Sequence, residues 1–401
     1  MFHPFHANFF SFKSGYSIFT KKIKMKYFTL LILILFLIGC DEVKETSDEQ
    51  DDVSTLDSLM LRVAQNQKFS GVVLIGDREK IIYKKAWGKA NRDWNIPMST
   101  EHRFDIASLN KSFIAVLVLL AEQDGKWKLQ DPVIEYFGPG VAKEQFSKKI
   151  TFHHLLTHTS GLKDYNGVPS DLKFNNYQKF KRLNFTNTDY INSIPQLKPL
   201  CEPGTGFHYS NFGYHLLALM LEDVYGESFN QLLQRKICDP LNLKNTVSYI
   251  SNTEVKKDLV TGYSYNAEKD VWNSNQFIDL SLGRRIFSNA DDLFAWAKAL
   301  DHGTLLTENM KSKIRSNHLQ HLNPKLSYGY GLVIHDGIHD IAMGNLNVKA
   351  PYFIHGGKTE GYKSLMINIS GSDLILILLT NSGDQIDELR LAESIIQNLK
   401  I

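Results

Sequence analysis

The sequence predicts an α+β fold: an antiparallel β-sheet flanked by helices, built from both chain ends, with a mostly helical lobe inserted over roughly 130–300. Three observations carry that prediction. Near the front, Gly71-Val-Val-Leu-Ile75, a polar turn at Asp77-Arg78 and the run from Lys80 to Trp87 read as a strand hairpin. Near the end, Ser364 to Ile369 and Leu374 to Thr380 are apolar runs parted by Ser370-Gly-Ser-Asp373, a second hairpin apolar enough to lie inside a sheet. Between them the chain offers helical stretches broken by polar loops, few convincing strands and no fixed-period repeat.

Taken in order, the chain opens with a sorting signal. Lysines at positions 21–26 precede the apolar run Tyr27 to Ile38, which is shorter than the ~20 residues a membrane span needs. It suits the h-region of a secretory signal. Leu37-Ile-Gly-Cys40 closes it in the manner of a bacterial lipobox, so residues 1–40 are expected to be a lipoprotein signal peptide with Cys40 lipidated. Met25 is a candidate start, because residues 1–24 resemble no part of such a signal. Residues 41–55 are acidic and poor in apolar side chains, so they are expected to form a flexible tether. The folded domain is expected over 56–401. The expected address is the bacterial cell envelope, anchored by lipid outside the cytoplasm.

Within the domain, Phe113 to Ala121 is apolar on every side and predicts a buried helix. Tyr214 to Tyr225 and Asp291 to Leu300 predict two more helices. Ile386, Leu389, Ile395, Ile396 and Leu399 recur at helical spacing and predict a terminal helix covering the sheet. Such a layout brings residues 108 and 355 to one cleft at the lobe junction, where small-molecule sites commonly lie.

Composition narrows the function classes. The 401 residues are 43% hydrophobic and 22% charged, as in an ordinary globular protein. Five lysines and no acid lie in residues 1–39, which leaves 40 basic against 43 acidic residues beyond them. No concentrated basic run follows, so a nucleic-acid partner is not expected. Cys201 and Cys238 are expected to be two buried free thiols. His154 and His158 stand four apart, as helical metal-binding pairs do. No glutamate separates them and no third ligand is evident, so no metal is expected.

Three short motifs stand in order along the domain. Ser108-Leu-Asn-Lys111 places a serine one turn before a lysine at the mouth of the buried helix. A serine hydroxyl needs a base to take its proton, and a buried lysine can be that base. Ser160 to Lys163 and Ser170 to Lys173 share the spacing but lead into polar sequence. Tyr209-Ser-Asn211 follows the turn signal Glu202-Pro-Gly-Thr205 and precedes a helix, a place from which Tyr209 can exchange protons and Asn211 can hold Lys111. His355-Gly-Gly357 leads into the C-terminal hairpin, where glycines on an edge strand admit a substrate backbone. A backbone N–H there and that of Ser108 can form an oxyanion hole.

In this order the motifs resemble the serine β-lactamase and penicillin-binding-protein-like hydrolases, in the class C β-lactamase and D-alanyl-D-alanine carboxypeptidase branch. The resemblance spans roughly Leu56 to Ile401 and extends to Leu155-Leu-Thr-His-Thr-Ser-Gly-Leu162, Pro203-Gly-Thr205 and Tyr328-Gly-Tyr-Gly331. It implies a β-lactamase/transpeptidase-like fold and an acyl-enzyme mechanism without metal or organic cofactor. It implies Ser108 as nucleophile, Lys111 as its base, Tyr209 as proton shuttle and Asn211 as polar support. It places His355 in a basic third-motif position, beside Gly356 and Gly357, and the second oxyanion N–H on Lys358. It makes His154 and His158 structural. Two departures stand out. His-Gly-Gly replaces the usual Lys-Thr-Gly, so carboxylate binding by His355 is expected to weaken as pH rises past about 6.5. Arg284 and Arg285 stand where relatives often have glycine-rich sequence, to form ion pairs or to meet an anionic substrate. The expected substrate is a small molecule or peptide, a D-amino-acid peptide or a small ester. The alternatives are a β-lactamase and a non-catalytic penicillin-binding or cell-wall-sensing module.

Overall fold

A computed structural model describes residues 47–66, 68–138, 141, 143–164, 198–249, 254–275 and 284–399. Cys40, residues 41–46 and the motif match at Ser170 lie outside the described residues. The chain divides into two units, Met1–Glu49 and Gln50–Ile401, and the second holds the sheet and both cores.

Its centre is an antiparallel sheet of six strands: β1 (Gly71–Gly76), β2 (Ile81–Trp87), β3 (Val333–His335), β4 (Tyr352–Thr359), β5 (Tyr362–Ile369) and β6 (Leu374–Thr380). They lie in the order β3-β4-β5-β6-β1-β2, so the two ends of the domain meet where β1 pairs with β6, from Gly71↔Thr380 to Gly76↔Ile375. The sequence of β6, Leu-Ile-Leu-Ile-Leu-Leu, explains its central place, because both faces of the pleat need apolar side chains. Ile375, Ile377 and Leu379 point to one core; Leu374, Leu376 and Leu378 point to the other.

Helices cover both faces. Leu56, Met60 and Val63 of α1 (Ser47–Asn66) pack on the second core. In the first core lies the buried α2 (Asn110–Gln123), beside α3 (Asn211–Tyr225). α4 (Ala290–His302) joins that core and crosses β6 and β1, and its Trp296 stacks on Phe113 of α2 with ring centroids 4.1 Å apart. α5 (Glu388–Asn398) returns to the second core through Leu391, Ala392, Ile395 and Ile396. Among the described residues, no helix is long and apolar enough to cross a membrane.

Two expectations need correction. Helix α1 begins at Ser47, so residues 47–55 of the expected tether are helical. The apolar spacing at positions 56, 60 and 63 docks the helix, and a helix once nucleated extends at little cost per residue. The lobe also holds more strand than expected. Gly262–Asn266 pairs with Val271–Asn275, and Ile286–Ser288 pairs with both Val247–Ser248 and Phe104–Asp105. These strands are short, and the hairpin is polar enough (Gly-Tyr-Ser-Tyr-Asn against Val-Trp-Asn-Ser-Asn) to read as loop.

Candidate active site

Ser108 sits in a single 3-10 turn, Ala107–Leu109, that runs straight into α2. The turn is clamped from several directions. Ala107 N donates to Asp105 Oδ1 at 2.9 Å, Ile106 N to Ile286 O at 3.2 Å, and Ser364 Oγ to Ile106 O at 2.7 Å. Ala107 is held at φ +47°, a left-handed conformation that costs a non-glycine residue about 1–2 kcal/mol. Such strain persists only where the surroundings impose it. Asp105 is fully buried and forms an ion pair with Arg285, whose guanidinium also donates to Thr359 Oγ1 at 2.6 Å. Arg285 thereby joins the serine turn to the end of β4.

Lys111, only 3% exposed, lies on the next turn of the helix. Its Nζ is 3.1 Å from Ser108 Oγ, donates to Asn211 Oδ1 at 2.8 Å, and stands 4.9 Å from the centre of the Tyr209 ring. Asn211 is oriented in turn by Asp164, which accepts from Asn211 Nδ2 at 2.8 Å and from Phe212 N at 3.0 Å. With its amide nitrogen committed to a carboxylate, Asn211 must present oxygen to the lysine. Asp164 thus caps α3 and orients the amide together. Sequence reading missed it: its only signal is an acid after the Gly161-Leu162 turn, and 47 residues separate it from Asn211.

Tyr209 stacks on His158, with centroids 4.2 Å apart. Ser210 N donates to His158 Nδ1 at 3.0 Å, which leaves the proton on Nε2, 3.2 Å from Tyr328 Oη. Tyr328 Oη lies 3.3 Å from His355 Nε2, and His355 Nδ1 lies 2.7 Å from Gly356 O. A carbonyl only accepts, so His355 carries its proton on Nδ1 and takes one from Tyr328 at Nε2. Both imidazoles are neutral in this chain of bonds. Burial, then the charge of Lys111, pulls His355 down to about 3. The expectation of a titrating cation at the third motif is therefore wrong: His355 is buried behind Tyr328 and carries no charge near pH 7.

β4 is an edge strand from His355 onward, since β3 pairs with Tyr352, Phe353 and Ile354. Gly357 needs its hydrogen: a Cβ there would lie 2.2 Å from Ile106 O and 3.0 Å from Ser108 N. Gly356 is not so confined. Lys358 follows on the same edge, with its exposed ammonium 2.6 Å from Asp384. Ser108, Lys111, Tyr209, Asn211, His355, Gly356, Gly357 and Lys358 all line two recesses that share Ser108 and Lys358.

The remaining candidates fall elsewhere. Ser160 Oγ accepts from Leu162 N. His154 pairs with Thr151 in a capping box while His158 backs Tyr209, so the two do not share a site. Arg284 pairs with Glu222 at 2.7 Å. Both described cysteines are free thiols, but only Cys238 is buried and Cys201 is half-buried, because it lies in the turn before Gly206.

A family model described as Beta-lactamase matches residues 56–398. The chain is 26% identical to penicillin-binding protein 4* of Bacillus subtilis over 352 residues, which cover 84% of this chain and 73% of the relative. It is 22% identical to a D-aminopeptidase of Gluconobacter oxydans over 330 residues, 78% of this chain but only 55% of that protein's length. The crystal structure of a penicillin-binding protein from Bacillus halodurans superposes with a TM-score of 0.70 at 24% identity, covering 84% of this chain and 98% of the other. At that identity the superposition speaks for the fold alone.

Proposed function

The chain belongs to the beta-lactamase family of serine hydrolases, and from that premise we propose that it cleaves an amide or ester through an acyl-enzyme on Ser108. The observation that carries this reading is Lys111 Nζ, held between Ser108 Oγ and Asn211 Oδ1 against the Tyr209 ring. Lys111 first gives up its resting proton to solvent, and its neutral Nζ then takes the Ser108 proton as Oγ attacks the substrate carbonyl carbon. The oxyanion is met by the backbone N–H groups of Ser108 and Lys358. The C–N or C–O bond breaks, and Tyr209 gives its hydroxyl proton to the departing nitrogen or oxygen while it takes one back from Lys111. Water then repeats the sequence on the acyl-enzyme and restores Ser108.

The neutral His355 bears on substrate class. β-Lactams and C-terminal peptides present a carboxylate, which calls for a cation in the cleft. Lys358 is paired with Asp384, and Arg285 with Asp105. An uncharged end on the leaving group therefore fits better, as in a D-amino-acid amide or a small ester, and a D-aminopeptidase stands among the relatives. A fluorophosphonate probe is expected to label wild type at Ser108 and leave Ser108→Ala unlabelled by intact-mass and peptide mass spectrometry. Labelling of the alanine variant equal to wild type would refute the assignment.

We further propose that Cys40 carries lipid and holds the domain at the bacterial envelope, on the strength of the lysines, the apolar run and Leu37-Ile-Gly-Cys40. Wild type is expected to sediment with membranes. Cys40→Ser is expected to accumulate as unprocessed precursor on a gel, whereas normal processing of that variant would dispose of the lipobox.

A further inference from the structure

The two recesses beside Ser108 differ in chemistry. One, about 420 Å³, is lined by Asn110, Lys111, Asn211, Arg285 and Thr359. The other, about 850 Å³, is walled by Tyr328, Val333, Met343, Ile354, Leu365 and Leu389. Among the described residues, no unpaired charge lines this larger recess. Glu388 takes Lys363 Nζ at 2.7 Å, Lys358 pairs with Asp384, and His355 is neutral. A charged group entering there loses water and gains no partner, while an apolar group gains burial. Tyr209 lines the larger recess and not the smaller.

We infer that the larger recess binds an apolar leaving group, an alkyl or aryl alcohol or amine, and that the compact polar recess takes the acyl part. The inference rests on the acyl-enzyme reading, since Tyr209 can reach the departing atom only if the leaving group lies on its side. The occupant is delivered by the wall itself: Met343 and Leu389 are half-buried on two separate segments, with the second on the first turn of α5. Lys363 pins that turn through Glu388 and through the carbonyl of Ile386 at 2.6 Å.

A series of D-alanine n-alkyl esters from methyl to hexyl tests this. Primary alkanols leave with similar ease and all give the same acyl-enzyme, so differences in kcat/KM report how the alkyl chain is held. Each buried methylene is worth about fourfold, and kcat/KM is expected to rise at least about 50-fold from methyl to hexyl. Met343→Trp and Leu389→Trp fill the recess from two sides, and each is expected to cut the hexyl-to-methyl ratio about tenfold or more. A flat or falling series in an enzyme that fluorophosphonate still labels at Ser108 would overturn the leaving-group recess alone, as would tryptophan variants that keep the wild-type ratio. Loss of labelling at Ser108 would remove the acyl-enzyme reading beneath it as well.

Discussion

Lys111→Ala is expected to lower kcat by about 10²–10⁴, the range for losing a positioned general base. The lysine is buried, touches Ser108 Oγ and is oriented by Asn211, so no solvent group can take its place. Lys111→Arg separates base from charge. A guanidinium keeps the positive charge but does not give up its proton, and it is expected to fail as badly as alanine. Tyr209→Phe keeps the stack on His158 and removes only the hydroxyl, so its defect is expected in kcat rather than KM. Steady-state rates on one D-alanine ester measure all three. A Lys111→Arg enzyme within tenfold of wild type would mean that charge, not proton transfer, is what the lysine supplies.

The fold is expected to fail in mild acid. Burial lowers His153, His154, His158, His215, His318 and His355, with His153 near 4 and His355 near 3. Unfolded histidines take up protons from about pH 6.5 downward, while these native ones stay neutral. The unfolded chain therefore binds more protons below pH 6.5, and stability falls as pH falls. At about 1.4 kcal/mol per proton per pH unit, His355 alone removes about 3 kcal/mol by pH 4, against a typical total of 5–15 kcal/mol. Asp223 and Asp292 are raised by burial and work the other way, two groups against six. Calorimetry from pH 7.5 to 4 is expected to show a steep fall in Tm below 6.5. A Tm constant down to pH 4.5 would show that these rings protonate within the native state.

Local chemistry made much of the molecule legible in its sequence. The helix after Ser108 announced itself because it is apolar all round, and both sheet hairpins showed apolar runs with turn residues between them. The helices at 211–225 and 290–302 lay within a few residues of their apolar patterns. Where a residue acts through distant packing, the sequence was silent. Asp164 reads as any loop acid until α3 is folded above it. The charge of His355 could not be judged before Tyr328 and Gly356 closed on its two nitrogens. Arg285 read as a basic residue with two open uses, and its meaning came only from Asp105 and Thr359, 180 residues behind and 74 ahead of it. The resemblance to the family supplied the proposed roles that spacing alone left open.

The pairing of β1 with β6 governs when this protein can become itself. Gly71 finds Thr380 only after everything between them has been made, so the central sheet closes late. The Ser108 helix can form early, but Gly357 reaches it on a strand made much later, Tyr352–Thr359. Contacts of such long sequence separation slow folding, because loop-closure entropy is spent before the contacts form. The nascent chain therefore stays without a working cleft until β4 and β6 arrive. If the export proposed above holds, the expected consequence is that the Ser108 cleft is assembled after transport and not before it.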